Sequence, residues 1–380
     1  MRVAFVTDTY FPHITGVAVS IQQFYRTLTD LGFEIDIFAP EVKEDIKDRP
    51  NVIRLSSIRL WPTLPEQTRI PSFPFKNYSK LFSGNYDLIH SQGGGIFSLV
   101  GLIAAKQKKI PCVMTYHTNW RDYTHYFFNG KLITPVLVDK INQKFGNAFD
   151  ALITPSQKIK TSLQSSGVKK RVEVIPSFLD YSKFENVSSN FIHQKLNLEK
   201  DTPIILTAGR LALEKNFEFL LEVFAQIEPH FPHVRFVFAG DGPDRLHLET
   251  LVKNLKLDSK ILFLGNILPQ DMPKVYHDAS LFTFASTSET QGLVVLEAAA
   301  SGLPLVLIDD SAYAGTIQNG LNGYLIPTQN KSEFAQKIIK LLEDNPLRKK
   351  MGQASKSLVQ QNFNSLHLTQ KLVNLYQSLV

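Results

Sequence analysis

A single cysteine, Cys112, stands in a chain of 380 residues, so no internal disulfide can hold the fold together. It lies in the apolar run Pro111-Cys112-Val113-Met114-Thr115, which points to a buried, inert thiol in a reducing compartment rather than a nucleophile. Long hydrophobic runs are missing as well. No window approaches the ~18 apolar residues of a membrane-spanning helix, which leaves peripheral contact as the expected form of any membrane association. The opening residues 1–8 hold one arginine and a short apolar run ended by Asp8, too brief for a secretory core and read as a first β-strand. Two glycine signatures are also absent. No Gly-Lys-Ser/Thr phosphate loop occurs, which disfavours a P-loop ATPase. Gly16 stands alone after the first strand and Gly93-Gly94-Gly95 has the wrong spacing, so the three-glycine fingerprint of NAD and FAD sites is lacking and a strand-to-helix turn is the expected role of the glycine run. The ten histidines show no His-x-x-x-His or His-Glu-x-x-His spacing, and no Asp-x-Asp pair is placed for a divalent ion. No metal site is expected.

What is present describes an ordinary globular protein with a sizeable core: 43% hydrophobic and 20% charged residues, in a length that favours two domains. The net charge of +6 is unevenly spread. Through residue 190 there are 23 Lys and Arg against 16 Asp and Glu, a balance of +7, and the remainder carries −1. The basic first half favours an anionic partner: a phospholipid surface, a nucleic acid or an acidic substrate. Its basic residues are dispersed and form no recognition motif, so nucleic acid is not expected.

Short apolar runs at 3–6, 35–38, 52–55, 88–90, 112–115, 152–154 and 172–175 alternate with helix-period stretches at 19–31, 96–106, 132–145 and 156–163. The alternation restarts with strands at 204–207, 235–239, 261–264, 281–284 and 305–308 and helices at 217–227, 244–255, 272–278 and 293–300. Strands and helices of these lengths in alternation predict an α/β chain of two doubly wound units, each a parallel sheet covered on both faces. The polar gap 176–202 suits a linker, which gives domains at 1–190 and 191–362. A last helix within 363–380 either caps the second domain or returns to the first.

Three segments carry chemistry. In Ala285-Ser286-Thr287-Ser288-Glu289-Thr290-Gln291-Gly292-Leu293, a loop follows a strand and Gly292 marks the turn into a helix whose free amides point back at it, a place for a diphosphate. Glu289 would sit beside that anion, and Glu297, later in the helix, can accept from ribose hydroxyls. The plain alternative is a helix with solvated glutamates. In Ala208-Gly209-Arg210-Leu211-Ala212-Leu213-Glu214-Lys215-Asn216, just after another strand, Arg210 and Lys215 are placed to neutralise a diphosphate leaving group. In the first half Gly16 lets backbone approach a ligand closely. His117 follows the fifth apolar run at a ligand-facing end, with His125 near enough to share its role.

Together these residues resemble the retaining glycosyltransferases of family 4, and the resemblance implies their GT-B fold, two Rossmann-like doubly wound domains facing across a cleft. The marks are Glu289 and Glu297 with seven residues between, then Ala300-Ser301-Gly302-Leu303-Pro304, with Gly209-Arg210, Lys215-Asn216 and Gly240-Asp241-Gly242-Pro243 upstream. The resemblance implies that Arg210 and Lys215 hold the donor diphosphate and Glu289 the donor sugar. It likewise places Glu297 on the ribose, with Gly209, Gly240, Gly292 and Leu293 around the nucleotide, His117 near the sugar and Gly16 on the acceptor side. The opening Thr7-Asp8-Thr9-Tyr10-Phe11-Pro12 and the stretch Thr115-Tyr116-His117-Thr118-Asn119-Trp120 are similar to those of diacylglycerol glucosyltransferases. Val174-Ile175-Pro176-Ser177 departs from the Pro-Asn-Gly or Pro-Thr-Gly common in the family. The resulting expectation is metal-independent, retaining transfer of a hexose from a nucleotide-sugar, UDP-glucose first, to 1,2-diacylglycerol, by a cytoplasmic protein on the inner face of an anionic membrane. A GDP-mannose donor, a soluble or polysaccharide acceptor and a noncatalytic sugar-binding protein are the alternatives. The interleaved aromatic and basic residues of 61–82 are the expected membrane segment, aided by Lys106, Lys108, Lys109, Lys169, Lys170 and Arg171.

Overall fold

Val3, Ala4, Phe5 and Val6 are all fully buried, as a strand covered on both faces requires, and they form the middle of β1 (Arg2–Thr7). This computed structural model describes residues 1–13, 15–42, 47–59, 69–121, 134–328 and 330–380. The chain divides into two units, Met1–Phe178 with Ser365–Val380, and Leu179–Asn364.

In the first unit, β1 is joined by β2 (Glu34–Pro40), β3 (Val52–Leu55), β6 (Leu88–Gln92), β7 (Cys112–Thr115), β8 (Ala151–Thr154) and β9 (Arg171–Val174) in a sheet of order β3-β2-β1-β6-β7-β8-β9. Every pairing is parallel. A short antiparallel hairpin, β4 (Ser57–Arg59) with β5 (Arg69–Pro71), is inserted before β6, along with α2 (Tyr78–Ser83). The helices α1 (Gly16–Asp30), α3 (Ile96–Lys108), α4 (Pro135–Gly146) and α5 (Gln157–Ser165) follow strand ends. Thr15 and Thr134 start α1 and α4 by accepting from the amides of Ala18 and Leu137. Cys112 is buried, and burial pushes its thiol up to about 12, so it is an inert core residue.

The second unit repeats the plan with six parallel strands: β10 (Ile204–Ala208), β11 (Arg235–Ala239), β12 (Ile261–Gly265), β13 (Leu281–Phe284), β14 (Leu305–Ile308) and β15 (Gly323–Ile326), in the order β12-β11-β10-β13-β14-β15. Its helices are α6 (Phe191–Lys195), α7 (Phe217–Ile227), α8 (Arg245–Asn254), α9 (Met272–His277), α10 (Leu293–Ala300), α11 (Lys331–Glu343) and α12 (Asn345–Asn362). The core joins α7 to the sheet through Phe217, Phe224, Phe236 and Phe238. In both sheets the order reverses beside the first strand, between β1 and β6 and between β10 and β13, the places where ligands collect in such folds.

The units part after Phe178 rather than near residue 190. Residues just beyond it are tied into the second unit: the Tyr181 hydroxyl donates to the Val359 carbonyl at 2.8 Å, and the Ile192 amide to Asp278 at 2.8 Å. The final helix, α13 (Ser365–Gln377), belongs to the first unit and meets α1, where Thr27 and Thr369 share a 2.8 Å hydrogen bond.

Candidate functional site

In the second unit, the loop after β10 and the loop after β13 lie side by side. Gly209 and Gly240 have φ of 139° and 143°, values that favour glycine. A Cβ on Gly240 would lie 2.0 Å from the Gly209 carbonyl oxygen, so Gly240 packs one loop onto the next. Ser286 and Ser288 donate to the Glu214 carbonyl at 3.3 and 3.4 Å, tying the two segments together. Lys215 Nζ and Glu289 Oε1 meet at 2.5 Å, both largely buried. Arg210 pairs with Glu214 at 2.6 Å. Gly292, at φ 77°, caps α10 without a side-chain cap, and a Cβ there would strike the Tyr313 ring at 2.8 Å. Tyr313 is itself fixed by its hydroxyl on the Ser286 carbonyl at 2.6 Å. Leu293 opens α10, whose first-turn amides are therefore directed at the loop.

Glu297 lies one turn on, half-buried, and accepts from the Tyr276 hydroxyl at 2.8 Å. Burial raises its carboxyl to about 7, opposed by that hydrogen bond and by the charge of Lys183. Of the four charged residues expected from the sequence, Lys215 lies directly on Glu289 and Arg210 on Glu214 beyond the ends of β10 and β13, with Glu297 on the adjoining α10.

In the first unit, Gly16 is the exposed first residue of α1, and Ile14 and His125 lie outside the described residues. His117 follows β7, and its Nε2 lies 2.9 Å from Gln92 Oε1. Burial lowers its imidazole to about 4, so it is neutral near pH 7. The glycine run is a turn shaped for Asp8: Gly93 has φ 132°, and a Cβ on Gly95 would strike the Asp8 carboxylate at 2.4 Å. Asp8 caps α3 by accepting from the amides of Gly95 at 3.1 Å and Phe97 at 2.9 Å. Among the described residues no group of three or more His, Cys, Asp and Glu could hold a metal ion, and no helix is long and apolar enough to cross a membrane.

One part of the expected membrane segment is corrected and another is not described. Residues 60–68 lie outside the described residues, and Tyr78 and Leu81, read as interfacial, are buried in α2 against the core. Only Phe73 and Phe75, 84% and 60% exposed, remain available from its aromatics in the described part, Phe82 being half-buried. Lys106, Lys108 and Lys109 precede β7, and Lys169, Lys170 and Arg171 lead into β9, so these cations sit at the end of the sheet opposite the strand ends followed by Gly16 and His117.

Residues 14–183 match the profile of Glycosyltransferase Family 4, and residues 188–358 that of Glycosyl transferases group 1. Over 372 residues the chain is 30% identical to an alpha-monoglucosyldiacylglycerol synthase of Streptococcus pneumoniae, spanning 91% of this chain and 83% of that one. The chain belongs to glycosyltransferase family 4. A second alpha-monoglucosyldiacylglycerol synthase, from Acholeplasma laidlawii, is 29% identical over 91% of this chain and 89% of its own. The fold agrees. The Anabaena protein HepE, crystallised with UDP and glucose, superposes with a TM-score of 0.80 over all of both chains at 18% identity. The architecture is that of the GT-B glycosyltransferases, two Rossmann-like units.

Within this family-4 chain, sequence reasoning missed several residues that hold the site together. Tyr276 and Tyr313 are single aromatics without a local pattern; only the fold brings them to Glu297 and Gly292. Asp8, Gln92 and His90 had a readable signal, since each stands at or near the end of an apolar strand run, where ligand-facing residues lie.

Proposed function

We propose that this glycosyltransferase moves glucose from UDP-glucose to the free hydroxyl of 1,2-diacylglycerol with retention and without a metal ion, giving an alpha-glucosyl lipid. The observation that carries the reading is the Lys215–Glu289 pair at the mouth of α10, with Glu297 one turn further. A donor diphosphate would take Lys215, Arg210 and the α10 amides near Gly292 and Leu293 as its counter-charges, and Glu289, released from Lys215, would accept from sugar hydroxyls. Glu297 would hold the ribose. As the bond from the sugar C1 to the diphosphate oxygen lengthens, negative charge grows where these donors already point, and the acceptor hydroxyl enters on the same face. Its proton passes to the leaving diphosphate oxygen, so no enzymic nucleophile is required. Identity to two synthases of this kind supports the choice of donor and acceptor.

A lipid acceptor implies a docking surface, and we place it on α3 and α4. Ile96, Leu99 and Ile103 form an exposed stripe on α3, and Val136, Leu137 and Ile141 another on α4 beside exposed Lys140 and Lys144. The α3 sequence holds no acidic residue, and α4 holds only Asp139. Exposed apolar side chains beside lysines suit an anionic bilayer at the inner face of the cell membrane.

Transfer assays with UDP-glucose, UDP-galactose and GDP-mannose, each against diacylglycerol in phosphatidylglycerol vesicles and against soluble sugars, all in excess EDTA, test the reading. Glucosyl-diacylglycerol from UDP-glucose is the expected product. Transfer from GDP-mannose alone, transfer only to soluble sugars, or a strict need for added Mg²⁺ or Mn²⁺ would overturn the corresponding part.

A further inference from the structure

Behind His117 lies a buried chain of polar side chains that the transfer scheme does not use. Gln92, the last residue of β6, is 2% exposed; its amide oxygen is 2.9 Å from His117 Nε2 and its amide nitrogen is 3.2 and 3.3 Å from the two ring nitrogens of His90. His90 is fixed in turn: its Nδ1 is 2.5 Å from the Tyr376 hydroxyl on α13, its Nε2 is 2.6 Å from the Thr115 hydroxyl, and Phe5 packs edge-on at 5.2 Å. A small cavity beside them is lined by Ser20, Phe24, Ser177 and Leu372, and its lining among the described residues includes no Asp, Glu, Lys or Arg. Among the described residues, the titratable groups whose contacts build this chain beside His117 are His90 from β6 and Tyr376 from α13.

An amide oxygen only accepts, so the His117 nitrogen facing it must carry the proton. We propose that Gln92 is a positioning residue that holds His117 in its Nε2–H tautomer, leaving the Nδ1 lone pair as the acceptor on the other side of the ring, and that His90 and Tyr376 lock Gln92 in place. The inference rests on the reading of His117 as a residue that serves the transfer. A histidine acts through whichever nitrogen its partner leaves unprotonated, so the wrong tautomer presents a donor where an acceptor is needed. The returning helix α13 thereby contributes, through Tyr376, to the order of a side chain that follows β7.

The test uses the full-length protein with ring-¹⁵N histidine, and the His117 resonances are assigned by their loss in His117→Gln. In the parent, long-range ¹H–¹⁵N spectra should show His117 protonated at Nε2 and uncharged at pH 7. Gln92→Glu places a carboxylate against the same nitrogen and should carry the His117 titration upward by at least one pH unit. Gln92→Leu should lower kcat roughly tenfold or more with the donor KM little changed, and add nothing to the loss in His117→Gln. Tyr376→Phe, which keeps the ring, guards against misfolding and should lower kcat less than Gln92→Leu. An Nδ1–H tautomer in the parent, an unmoved titration in Gln92→Glu, or parental kcat in a folded Gln92→Leu overturns the inference. Full activity in His117→Gln instead overturns the reading of His117 itself, while the tautomer spectrum still reports on Gln92.

Discussion

In the second unit the loops after β10 and β13 carry paired charges, whereas in the first unit β6 and β7 lead into the neutral pair Gln92 and His117, although both units are parallel sheets with the same reversal of strand order. After β10 and β13 stand Arg210, Glu214, Lys215 and Glu289, joined in two ion pairs of 2.6 and 2.5 Å. After β6 and β7 stand Gln92 and His117, and burial lowers His117 to about 4. Asp8, which follows β1, is engaged in capping α3. The strand plan decides where a ligand collects, and the side chains decide what charge it can carry. On the proposed function, the nucleotide-sugar is assigned to the second unit and the hydroxyl acceptor to the first.

The comparison breaks most readily at Lys215 and Glu297. Lys215→Ala or Glu297→Ala is expected to cut transfer about 10²- to 10³-fold, the scale of losing one electrostatic stabiliser, with the fold intact by circular dichroism. Glu297→Ala should also weaken UDP binding about tenfold by calorimetry, whereas His117→Ala should leave UDP affinity unchanged. Equal UDP weakening in both variants would erase the division of labour.

Packing of the charged loops supplies the next test. Gly240→Ala drives a Cβ into the Gly209 carbonyl at 2.0 Å and should cost about 3 kcal/mol in thermal or urea unfolding. Gly320→Ala, with φ 80° and nothing within 4 Å, should cost only about 1 kcal/mol. Similar losses at the two positions would show that the contact between the loops is loose.

A smaller effect concerns pH. The carboxyl of Glu297 is raised in the folded protein from 4.5 to about 7, so the unfolded chain releases this proton first. The contribution is harmless below pH 4.5, becomes increasingly destabilising as pH rises, and is complete above about pH 7. Glu297→Gln should therefore gain about 1–3 kcal/mol over the parent between about pH 5 and pH 8, read from unfolding midpoints. Parallel pH profiles in the two proteins would remove burial as the cause.

The strands at 52–55, 112–115, 235–239, 281–284 and 305–308 and the helices at 217–227 and 293–300 were legible to the residue, because each is a short apolar run or an amphipathic stretch between turn residues. The hairpin strands 57–59 and 69–71 were not. Three residues are too few to show a period, and their pairing is long-range. β15 and α11 were missed as well: β15 includes Gly323, whose lack of a side chain lets it pack against the Leu305 carbonyl. In the site, the spacing of Glu289 and Glu297 was visible, but their partners were not. Lys215 reaches Glu289 across 74 positions, Tyr276 reaches Glu297 across 21, and Tyr376 reaches His90 across 286, contacts that only the folded chain creates.

The measurement closest to the central claim is the anomeric configuration of the product. Purified protein incubated with UDP-glucose and diacylglycerol vesicles in excess EDTA should yield a glucolipid whose H1 proton shows the small axial–equatorial coupling of an alpha linkage in NMR, matching the donor. Lys215→Ala treated alike should yield little of it. A beta-linked product would contradict transfer on the face of the departing diphosphate, and abundant alpha product from Lys215→Ala would contradict the site.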